Sequence, residues 1–243
     1  MPEVRYAQFC PMTRAVEILG ERWTLLLVRE LFYGPKRFSD LKATLGGVSS
    51  SVLAERLSRL EERGVIVRRE LPAPAASMVY ELAETGWALR PILIELARWG
   101  VRFMGPPSPD DRMEPAWLRF GLEVFARRTP TASLAVQLRI TGEGHSVDVF
   151  VRGGEAGVLV TSEPLRTQAT ITAPAMDMLF VCIGLRRLDA PDLSPQIRVE
   201  GDATAAAHLP ELFDFSPTPP TIPVAGAGPT LDASSGSGEA RAR

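Results

Sequence analysis

The feature that most constrains the fold is a change of hydrophobic period at residue 65. Upstream of it, Phe38, Leu41 and Leu45 in RFSDLKATL fall at i, i+3 and i+7, and Leu53, Leu57 and Leu60 in SSSVLAERLSRLEERG repeat in the same way. Each set marks one side of an α-helix. Only Gly46-Gly47-Val48 separates the two runs, room for a tight turn and nothing more. Ser49 is the expected N-cap of the second helix and Gly64 its stop. Ser39 or the residues just before it would cap the first. Downstream, Val65–Leu71 (VIVRREL) and Met78–Leu82 (MVYEL) are β-branched and alternating, so they are expected as strands. The loop between them, PAPAAS, is too long for a tight hairpin turn. Helix, short turn, helix and hairpin is the order of a winged helix-turn-helix.

The flanking segments extend this domain. Thr13 is placed to cap a short helix, Arg14–Leu19, stopped by Gly20. Trp23–Phe32 is apolar over much of its surface, as a buried central helix requires, and Gly34-Pro35 ends it. A last helix is expected from Glu84 or Thr85 to Met104. Its Trp87, Leu89, Ile92, Leu93, Ile94, Leu96, Trp99 and Phe103 cover more than one face. A helix apolar nearly all round must be buried nearly all round, and a small domain cannot supply that much cover. The expected cover is the same helix of a second chain, in a two-fold homodimer.

Composition shifts divide the rest. Gly105–Asp111 (GPPSPDD) is rich in breakers, and from Ser216 the chain turns to Pro, Gly, Ala and Ser with few large apolar residues. The expected organisation is therefore a winged-helix domain at 1–104, a linker at 105–112, a second domain at 113–215 and a disordered tail at 216–243. In the second domain, 113–128 reads as an amphipathic helix with Trp117, Phe120, Leu122 and Phe125. Strands are expected at Leu134–Ile140, Ser146–Arg152, Ala156–Thr161 and Thr167–Thr172, then a helix capped near Thr172 or Pro174. IRVEGDATAAAHLPELFDF closes as a strand and a terminal helix. The fold class is α+β.

Charge is uneven along the 243 residues. The whole chain carries −2, but residues 1–104 hold 15 Lys+Arg against 12 Asp+Glu and residues 105–215 hold 10 against 15. A mildly basic half joined to an acidic one suits a module that meets DNA beside one that does not. There is no apolar run long enough for a membrane span and no secretory h-region, so a cytoplasmic protein without membrane association is expected. Two cysteines, Cys10 and Cys182, make no disulfide framework.

Candidate DNA contacts follow from the helix-turn-helix. The first residues of the second helix, Ser49, Ser50 and Ser51, would meet base edges in the major groove. Ala54, Glu55 and Ser58 lie opposite the leucine stripe. Arg56 and Arg59 flank that stripe and could reach phosphates, or could pair with nearby carboxylates. Lys36 and Arg37 precede the first motif helix and could touch the DNA backbone. Arg68, Arg69 and Ser77 sit near the wing, as contacts or as solvated strand residues. Cys10, at a helix start, is a candidate redox or electrophile sensor, since a helix N-terminus favours the thiolate; the alternative is a small residue buried at a dimer seam. Cys182, in LFVCIGL, reads as core.

His145 and His208 lack ligand-type neighbours at metal-site spacing, and no Gly-x-Ser-x-Gly, P-loop or dinucleotide fingerprint occurs, so no metal, cofactor or catalytic centre is expected. Trp117, Phe120, Phe125, Met176, Met178 and Phe180 could line an apolar ligand pocket or serve as ordinary core.

Phe9-Cys10-Pro11-Met12, Gly20-x-x-Trp23, Arg37-Phe38-x-x-Leu41 and Leu53-x-x-Arg56-Leu57, with the closing YELAETGWALRPILIELARWG, closely resemble the HxlR family of winged-helix regulators over residues 6–104. The resemblance implies a homodimer on a palindromic operator in double-stranded DNA, dimerising through the 84–104 helix and the N-terminal segment. Some regulators of this kind use the cysteine matching Cys10 as a sensor. The ending IRVEGDATAAAHLPELFDF is similar to that of sterol-carrier-type lipid-binding domains, which implies an apolar small-molecule effector for residues 113–215. A carrier of lipid or another hydrophobic ligand is the remaining alternative.

Overall fold

The computed structural model describes residues 5–72, 76–108 and 110–216. The tail expected from Ser216 and the centre of the expected wing loop fall outside the described residues, apart from Ser216 itself. Helices α1 (Pro11–Leu19), α2 (Thr24–Leu31), α3 (Phe38–Leu45) and α4 (Ser50–Glu62) precede an antiparallel hairpin of β1 (Ile66–Glu70) and β2 (Met78–Leu82). This is a winged helix-turn-helix. Leu27, Leu31, Leu41, Leu53, Leu57, Leu60 and Ile66 are fully buried in its core, so both predicted leucine stripes face inward. Each such side chain contributes on the order of 1.5–3 kcal/mol through burial.

Local chemistry sets the ends of these elements. Ser49 caps α4, its hydroxyl accepting from the Val52 N–H at 3.2 Å. Of the two expectations at α3, the residues just before Ser39 supply the cap: Arg37 is the N-cap, and its backbone N–H donates to Asp40 Oδ2 at 3.0 Å. The turn between α3 and α4 needs positive φ at two successive residues, 54° at Gly46 and 65° at Gly47, which glycine adopts without strain. Helix α1 starts earlier than expected, because Pro11 suits the first helical position; Cys10 becomes the N-cap and Thr13 is buried inside the helix.

The single helix expected from about 84 to 104 is broken. It forms α5 (Glu84–Trp87), α6 (Arg90–Gly100) and a 3-10 turn, Val101–Phe103. Pro91 has no N–H to offer the Trp87 carbonyl, and its ring crowds that carbonyl, so continuous helix cannot pass. Gly86 packs closely on the residue before β1, so that an added Cβ would collide with the Val65 carbonyl oxygen.

Residues from 115 onward form an α+β unit. Its sheet has the order β5-β4-β3-β6-β7, built from β3 (Ala135–Thr141), β4 (Ser146–Gly154), β5 (Gly157–Thr161), β6 (Ala169–Pro174) and β7 (Arg198–Gly201). Central β3 is antiparallel to β4 and parallel to β6. Helix α7 (Pro115–Phe125) lies on β4 and β5, and α8 (Ala175–Cys182) on β3 and β6. The terminal helix is short. Asp202 caps α9 (Ala203–Ala207), and a 3-10 turn, Leu209–Leu212, follows at Pro210.

Helix α7 belongs to two cores at once. Leu118 and Leu122 enter the core of the sheet, whereas Phe120 and Val124 enter the core of the winged helix. Each pair is spaced i, i+4, and a step of two residues turns the helix by about 200°, so the two stripes lie on opposite sides. Part of the apolar surface of α6 is thus covered within the chain, where a second chain was the expected cover. Leu93 is buried and Ile94 and Ala97 pack into the same cluster as Phe120 and Val124. The other side of the segment stays uncovered: Ile92 and Leu96 are exposed, Trp99 is 57% exposed and Phe103 71%.

Candidate nucleic-acid interface

Helix α4 presents small side chains at its free end. Ser49, Ser50, Ser51, Ala54 and Ser58 are exposed, and the Ser49 and Ser51 hydroxyls lie 3.1 Å apart. With the leucine stripe turned inward, the fully exposed residues of the first two turns, Ser50, Ser51 and Ala54, are all small, so the backbone of α4 can approach a groove closely. The positive end of the helix dipole points the same way and favours a phosphate.

The wing root supplies a second group. Lys36 pairs with Tyr80 through two backbone hydrogen bonds, 3.0 and 2.8 Å, which adds the segment before α3 to the edge of the hairpin. Arg37 Nε donates to Ser77 Oγ at 3.0 Å, so these two predicted residues come together across forty positions of sequence. Arg68 is exposed, with its guanidinium 5.9 Å from the Tyr80 ring centre. Arg69 differs: both its Nε and Nη2 donate to Glu81 at 2.9 Å, which neutralises it and holds the Glu81 carboxyl below the usual range.

Arg56 and Arg59 turn away from the serine-tipped face. Arg56 Nη2 donates to Glu21 Oε2 at 2.7 Å and its side chain is 11% exposed. Arg59 spans Glu21 at 3.4 Å and Glu55 at 2.7 Å. Glu21, in the loop between α1 and α2, gathers both guanidinium groups. Of the two readings the sequence allowed, carboxylate pairing is the one present, and Glu55 belongs to that network as well. The sequence reading missed Glu21: it lies inside the Gly20-x-x-Trp23 motif, and only the fold brings it to Arg56 and Arg59.

Cys10 is exposed at the N-terminus of α1. The backbone N–H groups of Thr13 and Met12 and the Thr13 hydroxyl stabilise its thiolate and lower its pKa from the ordinary thiol value. Cys182 is fully buried, and burial pushes its thiol pKa strongly upward.

The six residues considered for an apolar pocket do not converge. Phe120 and Phe125 pack with the winged-helix core, whereas Met178 is buried in the sheet core. Trp117 joins the domains: its indole N–H donates to Glu30 Oε1 at 2.7 Å, and the Arg29 guanidinium lies 4.5 Å from its ring centre. Met176 and Phe180, on α8, are half-buried. Glu30 itself is only 3% exposed and also accepts from Arg29 Nη2 at 2.7 Å. Beside this anchor Arg98 donates through Nε and Nη2 to the Val124 carbonyl, at 3.2 and 3.0 Å, closing the C-terminal end of α7. Arg90 forms an ion pair with Glu123.

His208 pairs with Glu211 at 2.6 Å, and His145 sits in the turn between β3 and β4. Among the described residues there is no cluster of three His, Cys, Asp or Glu side chains placed to hold a metal ion, and no helix is long and apolar enough to cross a membrane.

Comparison with known proteins agrees with the helix-turn-helix geometry. The HxlR-like helix-turn-helix family matches residues 18–108. The uncharacterized HTH-type transcriptional regulator YvaP of Bacillus subtilis is 40% identical over 105 residues, which are 43% of this chain and 97% of that protein. The HTH-type transcriptional regulator YodB of Bacillus subtilis is 38% identical over 98 residues, 40% of this chain and 88% of that one. A solved structure of YodB from B. subtilis in its reduced form aligns with 35% identity and a TM-score of 0.36, over 42% of this chain and 100% of that chain. With its winged helix, its exposed α4 tip and relatives matched over nearly their whole length, this chain belongs to the HxlR-like helix-turn-helix family of DNA-binding transcriptional regulators.

Proposed function

We propose that the protein is a homodimeric regulator that binds a palindromic operator in double-stranded DNA. The observation that carries this reading is the α4 tip: exposed serines on a capped helix, beside a wing root that bears Lys36, Arg37, Arg68 and Ser77. Ser50 and Ser51 meet base edges, and Lys36, Arg37 and Arg68 meet phosphates. The second copy covers the apolar surface left open on Ile92, Leu96, Trp99 and Phe103, together with Phe9 and Met12 near the start of α1. Selection from a random duplex library tests this. The expected product is an inverted repeat with half-sites about one helical turn apart. An unrelated single site, or no enrichment, refutes it. Trp99→Glu should yield monomers with weak operator binding; a variant that remains dimeric refutes the proposed interface.

For residues 113–215 we propose a sterol-carrier-like fold and gating by an apolar small molecule. The mixed sheet with helices on β3, β4, β5 and β6 supports the fold reading. Residues Phe120, Val124 and Trp117, which face the winged helix, give a ligand in this unit a route to α2 and α6. If a broad panel of hydrophobic ligands leaves operator affinity unchanged, the gating reading fails.

A second reading rests on Cys10, an exposed thiol with a stabilised thiolate on the face proposed for dimer contact. Modification there would disturb the dimer and release DNA. A Cys10→Ser variant that still releases DNA under oxidant refutes it.

A further inference from the structure

The loop between α1 and α2 holds one residue in a conformation that side chains resist. Trp23 has φ 78°, in the left-handed region, where a Cβ crowds the backbone. Such strain persists only where the surroundings impose it, and it gathers at functional sites. The surroundings here are α4 and the turn before it. Glu21 pairs with Arg56 and Arg59, at 2.7 and 3.4 Å, and the Arg22 carbonyl accepts from Arg56 Nε at 3.4 Å. The Trp23 ring reaches the other way, to the Gly46-Gly47 turn, where its Cη2 would lie 3.8 Å from a Cβ on Gly47. Gly47 and Arg56 bracket the first two turns of α4, so residues 21–23 run along the half of the helix that carries the serines. Arg59 follows Ser51 by eight residues and lies about 80° round the helix from it, which puts this loop on the flank of the serine face.

Arg22 is the side chain that this arrangement presents to solvent. It is exposed, and its guanidinium lies over the Trp23 ring, 4.9 Å from the ring centre. Arg29, Arg56 and Arg59 each pair with a carboxylate, whereas among the described residues no ion pair engages Arg22.

We infer that Arg22 binds a DNA phosphate beside the groove that α4 enters, and that Trp23 positions it. A helix seated in the major groove has a phosphate backbone along each side. A guanidinium takes two phosphate oxygens at once and keeps its charge at every physiological pH. Stacking on the indole restricts the side chain before DNA arrives, so less freedom is lost on binding. The Glu21 network then serves the same surface: Arg56 and Arg59 do not reach DNA but hold the loop that does. The inference rests on the DNA-binding reading and adds to it a contact from outside the helix-turn-helix.

Duplex binding by the full chain, titrated with salt, tests it on a duplex enriched from a random library and on an unrelated one. Arg22→Gln should weaken both several-fold and reduce the salt slope by about one, because each phosphate contact releases about 0.9 of a counterion. Arg22→Lys should restore the slope. Trp23→Leu should weaken binding in the wild type and make no further difference in Arg22→Gln; losses that add would refute the positioning role. Arg22→Gln changes an exposed side chain and keeps the fold, so it decides the contact whatever Trp23→Leu does to stability. Wild-type affinity and slope in Arg22→Gln, while Arg37→Gln loses both, overturns this contact and leaves the DNA-binding reading. Absent or salt-independent duplex binding by the wild type overturns the two together.

Discussion

Replacing Trp117 with Phe removes one N–H and keeps an aromatic ring over Arg29. In the native chain that N–H donates at 2.7 Å to Glu30 Oε1, on a carboxylate that is 3% exposed. A hydrogen bond to a charged acceptor contributes about 1.5–3 kcal/mol, and removing the donor leaves the buried oxygen with Arg29 alone. The weaker cation–π contact of Phe with Arg29 adds a few tenths. The expected loss is about 2 kcal/mol, read from urea denaturation with domain-specific probes. Other consequences of the smaller ring enter the same figure, so a double-mutant cycle with Glu30→Leu, which offers the indole no acceptor, isolates the contact. If Trp117 and Glu30 hold the domains together as described, the coupling energy is about 1.5 kcal/mol or more. A coupling below about 0.5 kcal/mol would refute the reasoning, because residues without a shared contact add within that margin.

Other consequences can be checked in the same way. Ser49→Ala should destabilise the winged helix by about 1 kcal/mol, since it removes the acceptor for the Val52 N–H, and chemical denaturation reads the loss. Gly86→Ala should cost more, about 1–3 kcal/mol or beyond, because the new Cβ meets the Val65 carbonyl. Tyr33→Phe should be neutral or stabilising: the Tyr33 hydroxyl is buried without a partner, and its burial drives the phenol pKa upward. For Cys10 the lowered pKa means more thiolate at neutral pH, so native alkylation should rise with pH at a midpoint below that of the unfolded chain's cysteine. Denaturant should move that midpoint back up, and Cys182 should react only after unfolding.

The helix-turn-helix was legible because its signals are local and agree with one another. Ser49, Gly46-Gly47 and the Leu53, Leu57 and Leu60 stripe each specify backbone conformation within a few residues, and each has the expected role. The break at Pro91 was also written locally, but the strong apolar character of residues 87–103 masked it. What no local pattern carried was the relation between the domains. Phe120 and Val124 look like core, as Leu118 and Leu122 do; only the assembled fold reveals that the two pairs serve different cores. Glu30, an acid inside the apolar run WTLLLVRELF, was the available clue that a polar partner would arrive from elsewhere. Arg56 and Arg59 show the converse limit: helical spacing places them beside the stripe, but which carboxylate claims them depends on a loop thirty-five residues away.

The measurement closest to the central claim is equilibrium binding of the purified protein to a duplex selected from a random library, titrated with salt and nonspecific competitor, for the wild type, Ser51→Glu and Arg37→Gln. The account predicts tight, competitor-resistant binding that weakens as salt rises. Ser51→Glu should abolish it by setting a carboxylate against the groove. Arg37→Gln should weaken all sequences alike and reduce the salt slope by about one. Full operator affinity in the Ser51→Glu variant would contradict the claim, because the tip of α4 would then not be the surface that meets DNA.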